Sequence, residues 1–145
     1  MANWLPRTQL PGQQVSVSAT TTPLLSGASA LLDLPGLGRL GHFIAVSTDA
    51  PGWVSVYSSA AARDADGSRP ISQDPAPGSG VLLDLLTTTA ALTVTAPPGG
   101  TYFSTEVDPA AAASGLQPPL RALVRNTGTA QAAIALTVTA VVLAP

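Results

Sequence analysis

The sequence is divided into short runs rich in Val, Ser, Thr and Leu by fourteen prolines and thirteen glycines. This spacing constrains the fold more than any other feature, because it leaves no uninterrupted stretch for a long amphipathic helix. Residues 15–18 read Val-Ser-Val-Ser, and a period of two places the valines on one side of a strand and the serines on the other. The punctuation therefore predicts short β-strands.

The same pattern predicts eight or nine strands in all. Two connections carry turn residues, Pro51-Gly52 within 49–52 and Asn126 with Gly128 within 126–129, and each predicts a hairpin. We expect an all-β fold, a jelly-roll-like β-sandwich of short antiparallel strands that occupies residues 15–145 as a single domain. The further strand runs are 31–34, 42–48, 53–58, 81–86, 92–96, 101–107, 120–126 and 133–143.

Residues 1–14 lack any periodicity and contain Pro6, Pro11 and Gly12, which predicts an extended N-terminal arm. Trp4 and Leu5 are its candidate partner contacts, because a large aromatic side chain buries much area at little entropic cost. The alternative is that Trp4 packs back on its own domain.

The charged fraction is 10%, against about 25% in an ordinary soluble domain. A surface with so few charges favours association, so we expect a protein that functions in an assembly and a homo-oligomer, with a trimer as one candidate.

The last strand supports that expectation, since both of its sides are rather apolar. One side carries Ile134, Leu136, Val138 and Val142. The other side also carries apolar residues and needs a cover, either from the same chain or from a neighbouring subunit, so Val141 and Leu143 are candidate partner contacts.

Several partner classes are not expected. The six basic residues are all arginines, spread along a chain of net charge −2, whereas nucleic-acid binding needs a concentrated basic face. The absence of cysteine excludes disulfides and thiolate metal sites. The N-terminus lacks the pattern of a signal peptide, and the apolar stretch 130–145 is too short and too interrupted to span a membrane.

Catalytic chemistry has little to draw on, because the chain has no lysine or cysteine and a single histidine, His42. His42 with Asp33 or Asp49 and a serine is formally a hydrolytic set, but no GxSxG elbow accompanies it. We expect His42 to begin a strand and make an ordinary hydrogen bond. No catalytic residue and no cofactor are predicted.

Asp64 and Asp66, followed by Gly67, resemble the opening of a calcium loop and are weak metal-ligand candidates. The pattern lacks the closing glutamate, and the favoured alternative is that these aspartates cap a turn or pair with Arg63 and Arg69. Glu106 and Asp108 lack the aromatic platform that a glycoside hydrolase would need.

Among the aromatic residues, Trp53 and Tyr102 are candidate glycan contacts. Aromatic side chains at strand positions more often fill cross-strand pairs of the core, and this alternative stays open.

The segment 58–85, SSAAARDADGSRPISQDPAPGSGVLLDL, follows the strand motif W-V-x-V-Y. It resembles a segment found in small virion-associated proteins of tailed bacteriophages, encoded among tail and tail-fibre genes. The shared elements are Arg63, Asp66, Ser68-Arg69, Asp74-Pro75 and the run 77–80, and the resemblance extends from Gly41 to the C-terminus.

The resemblance implies a non-enzymatic β-sandwich component of the virion, in the tail fibre or baseplate region, assembled in the host cytoplasm with other virion structural proteins. A capsid decoration protein and a host-surface glycan-binding module are the alternatives. A hydrolase is the weakest alternative.

Overall fold

The computed structural model describes residues 12–96, 101–105 and 119–144. Within these ranges the chain forms nine strands and one short helix. In chain order they are β1 (Gln13–Thr20), β2 (Ser29–Leu34), β3 (Leu40–Thr48), β4 (Gly52–Tyr57), α1 (Ala60–Asp66), β5 (Val81–Thr87), β6 (Thr93–Thr95), β7 (Tyr102–Ser104), β8 (Leu120–Asn126) and β9 (Ala135–Ala144).

The strands form two antiparallel sheets that pack face to face. The first sheet has the order β1-β9-β3-β6, with β7 also paired to β3, and the second has the order β2-β8-β4-β5. β6 and β7 lie one after the other along the same side of β3, so together they take the place of one edge strand. Two four-position sheets that exchange strands in this order are a jelly roll, which confirms the expected all-β sandwich.

The core lies between the sheets and is built by alternate residues of the central strands. Leu136, Val138, Ala140 and Val142 of β9 are fully buried, and Val54, Val56 and Val124 face them from the second sheet. Phe43 and Phe103 complete the core at a ring-centroid distance of 4.8 Å. The predicted inward side of the last strand is therefore confirmed.

Both predicted hairpins are wrong. β3 lies in the first sheet and β4 in the second, so the turn 49–52 carries the chain from one sheet to the other. The turn after β8 crosses between the sheets in the same way, because β9 belongs to the first sheet. Turn residues specify that the chain reverses locally, but the burial of both sides of β4 determines which strands become its neighbours.

One element boundary also differs from the prediction. β1 begins at Gln13, so Gln13 and Gln14 belong to a strand and not to an arm. The remainder of the predicted arm, 1–11, with Trp4 and Leu5, lies outside the described residues.

The segment after β4 contains a helix that the sequence analysis did not predict. Ser59 caps α1, and its hydroxyl accepts a hydrogen bond from the Ala62 amide at 3.1 Å. Three alanines follow the cap, which favours a helical turn. Arg63 and Asp66 lie buried on the side of the helix that faces the sandwich.

Candidate interaction surface

The outward side of the first sheet carries two rows of small hydroxyl-bearing and alanine residues. In the first row, Ser18 pairs with Thr137, Thr137 with Ser47, and Ser47 with Thr93. The next row runs in the same way through Ser16, Thr139, Ala45 and Thr95. The Ser18 and Thr137 hydroxyls lie 2.6 Å apart, and those of Ser16 and Thr139 lie 2.8 Å apart, so the hydroxyls hydrogen-bond to each other along the surface.

One end of this surface is apolar. Leu40 and Leu143 are each 40% exposed, and Tyr102 is 58% exposed. The Tyr102 ring stacks on His42 with 4.9 Å between the ring centroids, and His42 pairs with Val141. We call the two hydroxyl rows together with this apolar end the bare face, since no described segment of the chain covers it.

The bare face carries no formal charge. Among the described residues, no Asp, Glu, Arg or Lys lies in β1, β3, β6, β7 or β9. Burying this side of the molecule against another protein therefore requires no desolvation of a charged side chain, which is a large cost of burying most protein surfaces.

The outward side of the second sheet is covered. Trp53, Ser55 and Tyr57 alternate along β4 on the side away from the core, and all three are buried by α1 and by the segment that follows it. The Trp53 indole nitrogen and the Ser55 hydroxyl each donate to Asp84 Oδ1 at 2.7 Å. We call the buried polar contacts on this side the polar cluster.

Two arginines stack on the Trp53 ring. The guanidinium carbon of Arg125 lies 3.7 Å from the ring centroid, and that of Arg69 lies 4.9 Å from it. Arg125 also donates to the Ser55 hydroxyl at 3.2 Å. Arg69 pairs with Asp66 and Asp84 through the edge of its guanidinium group, and both arginines cover the aromatic ring with their faces.

Asp66, at the end of α1, lies at the centre of the polar cluster. Its carboxylate accepts from Arg69 Nε at 2.7 Å, from Arg69 Nη2 at 3.0 Å and from the Tyr57 hydroxyl at 2.8 Å. Burial by itself would raise the pKa of Asp66, but the hydrogen bonds from Arg69 and Tyr57 outweigh it and hold the pKa below its ordinary value of 3.8. Burial and the bond to Asp66 raise the pKa of Tyr57.

A second ion-pair group ties α1 to the edge of the sheet. Arg63 donates to Asp33 Oδ1 at 2.9 Å, and Arg121 donates to Asp33 Oδ2 at 3.0 Å. Burial would raise the pKa of Asp33, yet the two arginines lower it overall. The segment 58–85 therefore builds much of the cover of the second sheet.

The two metal-ligand candidates do not converge. Asp64 is exposed on the outer side of α1, whereas both oxygens of Asp66 are occupied by Arg69 and Tyr57. The expected pairing of Asp66 with Arg69 is confirmed, but Arg63 pairs with Asp33 and with neither candidate. Among the described residues, no three His, Cys, Asp or Glu side chains form a group that could hold a metal ion.

The two glycan-contact candidates have opposite environments. Trp53 is 6% exposed and its ring lies against Arg125, so it offers no free face to a sugar. Tyr102 lies on the bare face and is open to solvent. The partner-contact candidates Val141 and Leu143 lie on the same face, which is where the sequence analysis expected a cover to be needed.

His42 differs from expectation in its contacts. It is the third residue of β3, and its buried Nε2 has no hydrogen-bond partner among the described residues. Asp33 is bound by two arginines, and Asp49 Oδ1 accepts from the Ala135 amide at 2.8 Å. The formal catalytic set is therefore not assembled around His42.

Sequence reasoning missed the polar cluster. The signal was present in the motif W-V-x-V-Y, where a period of two places Trp53, Ser55 and Tyr57 on one side of a strand. Three residues with polar atoms on one buried side require partners, which the structure supplies through Asp84, Arg125 and Asp66.

Comparison with known proteins gives no relative: no family model, no curated protein and no solved structure matches this chain. Of the described residues, the helical ones belong to α1, and no described helix has the length and hydropathy that crossing a bilayer requires.

Proposed function

We propose that this protein is a non-enzymatic structural component of a bacteriophage virion, in the tail fibre or baseplate region, and that it functions through contacts with neighbouring proteins. The bare face supports the contacts with neighbouring proteins, and the resemblance of the segment 58–85 supports the location in a virion. An entire sheet surface without a formal charge, with exposed Leu40, Tyr102 and Leu143 at one end, is suited to burial against a neighbour.

The contrast with the second sheet supports the same conclusion. The segment 58–85 that resembles phage virion proteins contributes the cover of the second sheet, through Asp66, Arg69 and Asp84. With that side closed, the bare face is the broad sheet surface that the described residues leave open to a partner. The neighbour we propose is another virion protein with an uncharged contact surface.

A substitution that places a charge at the centre of the bare face tests this proposal. Ser47 lies on β3 between Thr137 and Thr93, and Ser47→Lys would bury an ammonium group without a partner if a neighbour covers the face. We expect the copy number of the protein in purified particles to fall at least about tenfold, measured by quantitative mass spectrometry.

Ser68→Lys is the matched control, because Ser68 is exposed on the covering segment of the other side. This variant should be incorporated like the wild type. Equal incorporation of both variants would show that the bare face is not a contact surface.

A map of the intact particle by electron cryo-microscopy tests the location. Density for the jelly roll on the tail supports the proposal, density on the capsid surface favours the decoration protein, and absence of the chain from the particle overturns a structural role.

One observation favours a host-surface glycan-binding module as the second candidate function: the exposed ring of Tyr102, held by stacking on His42. This function predicts that Tyr102→Ala abolishes adsorption to host cells and leaves incorporation unchanged. Leu143→Ala, in the same apolar end but without a ring, is the matched control.

A further inference from the structure

Among the described strands, β1 is an edge strand that lacks the usual protection against pairing. It is hydrogen-bonded to β9 on one side and lies at the end of its sheet. Its eight residues contain no charge and no proline, and its register with β9 runs from Gln13 to Thr20 without a bulge. Long, regular, uncharged edges of this kind are the ones that pair with another strand.

The other edge strands of the described residues are protected. β2 carries Asp33, which is bound by two arginines, and β5 carries Asp84. The edge opposite β1 is divided between β6 and β7, which have three residues each. Charges and short strands are the devices by which proteins prevent edge pairing, so their absence from β1 is specific to this edge.

At alternate residues of β1, the backbone amide and carbonyl groups point away from β9, in the plane of the sheet. The Thr21 amide donates to the Ile134 carbonyl at 3.0 Å, in the register that places Thr20 opposite Ala135. Because hydrogen-bonded pairs alternate along an antiparallel ladder, Val17 bonds to β9 while the amides of Ser16 and Ser18 point away from it. The close hydroxyl pairs that Ser16 and Ser18 make with β9 are typical of such non-hydrogen-bonded positions.

We propose that β1 pairs antiparallel with β1 of a second copy of this chain, about a two-fold axis perpendicular to the sheet. A register centred on Val17 pairs Ser16 with Ser18 and Val15 with Ala19, so the residues that face the core keep facing it and the outward hydroxyls stay outward. The uncharged sequence imposes no like-charge repulsion on this self-pairing.

The pairing would enlarge the surface available for contact with a neighbouring protein. This inference rests on the proposed function. The bare face is four strand positions wide and eight to ten residues long, about 500 Å² in plan from ordinary strand spacings. A stable interface buries about 800 Å² on each partner. Two copies joined at β1 place their bare faces side by side on the same side of one continuous sheet, which provides about 1,000 Å².

Analytical ultracentrifugation and hydrogen exchange of the full chain test the pairing. We expect the wild type to sediment with twice the 14.5 kDa mass of the chain. We expect the Ser16 and Ser18 amides, followed by NMR, to exchange more slowly in the dimer than in the diluted monomer, by a factor of about ten or more.

Ser18→Pro removes one amide that points away from β9, without removing a hydrogen bond to β9, and it should abolish the dimer. Ser18→Ala keeps the amide and should remain dimeric. Ser16→Pro is a second variant, for use if Ser18→Pro fails to fold. The amide exchange rates of the wild type test the pairing without any substitution.

The pairing would be overturned by a trimer, by a monomer at all concentrations, by a dimer that persists in both proline variants, or by β1 amides that are equally protected at every dilution. The last result would indicate that another segment of the same chain covers the edge. Pairing of β1 with a strand of a different protein would also overturn it. These failures are separate from failure of the proposed function, which is judged by incorporation of Ser47→Lys into particles.

Discussion

The two sheets present their outward sides to solvent in opposite ways. The outward side of the second sheet is closed by α1 and the following segment, through buried charges around Trp53. The outward side of the first sheet is the bare face, held by hydroxyl pairs at its surface and free of charge. Buried charges need fixed partners, so the closed side is costly to disturb, whereas the bare face can change partners at little cost.

Removing Asp66 should break the closed side most severely. Asp66→Ala leaves the Arg69 guanidinium, whose side chain is 6% exposed, with Asp84 as its remaining ion-pair partner, and it leaves the Tyr57 hydroxyl without its acceptor. We expect a loss of about 3–5 kcal/mol in the free energy of unfolding, measured by urea titration.

Asp64→Ala is the control for Asp66→Ala, because Asp64 is exposed on the same helix. Its unfolding free energy should stay within about 0.5 kcal/mol of the wild type. Similar losses in the two variants would show that the polar cluster does not stabilise the fold.

The next largest effect is expected from acid, which should weaken the closed side of the second sheet. The pKa values of Asp66 and Asp33 are lowered in the folded protein. Each carboxylate therefore stabilises the fold at a pH above the ordinary pKa of 3.8, and this stabilisation disappears as the pH falls through the lower pKa of the folded state. We expect the unfolding free energy to decrease as the pH drops below about 4, as measured by urea titrations at a series of pH values. Asp66→Asn should show a shallower acid slope, and an unchanged slope would contradict the assignment.

Removing one stacked arginine should have a moderate effect. Arg125→Met keeps much of the side-chain volume but loses the contact with the Trp53 ring and the hydrogen bond to Ser55. The expected cost is about 1–2 kcal/mol in thermal or urea unfolding.

Arg121→Met, on the same strand, is the comparison for Arg125→Met. Arg121 pairs with the half-exposed Asp33, and its removal should cost less than about 1 kcal/mol. The reverse order of the two losses would contradict the role given to the stacking.

The smallest effect is expected on the bare face. Ser18→Ala removes a hydroxyl pair with Thr137 that is exposed to water, and it should cost about 0.2–1 kcal/mol in urea unfolding. The same change in the polar cluster, Ser55→Ala, removes the hydroxyl that binds Asp84 and Arg125 in a buried position and should cost about 1–3 kcal/mol. Equal costs would mean that the two sides do not differ energetically.

The strands could be predicted because their signal is local. The alternation in 15–18 and the burial of alternate residues along the last strand follow directly from the order of residues. The candidates Val141 and Leu143 on the bare face came from the same periodicity.

The cover of the second sheet could not be predicted in detail, because its contacts join residues that are distant in the chain. The Trp53 indole meets Asp84, and Asp33 meets Arg63 and Arg121, only after the strands have paired. The hairpins failed for the same reason: a turn signal at Pro51-Gly52 is satisfied whether the next strand joins the same sheet or the opposite one.

By itself, the sequence determined the all-β class, the approximate number of strands and the scarcity of charge, because these depend on residue type and on a period of two. Only the tertiary structure decided that the second sheet and its cover carry charges such as Asp33, Asp66 and Asp84, while the described strands of the first sheet carry none, and that β1 lies at an edge. The physical reason is that sheet membership is set by burial of long-range strand pairs, which no local pattern encodes.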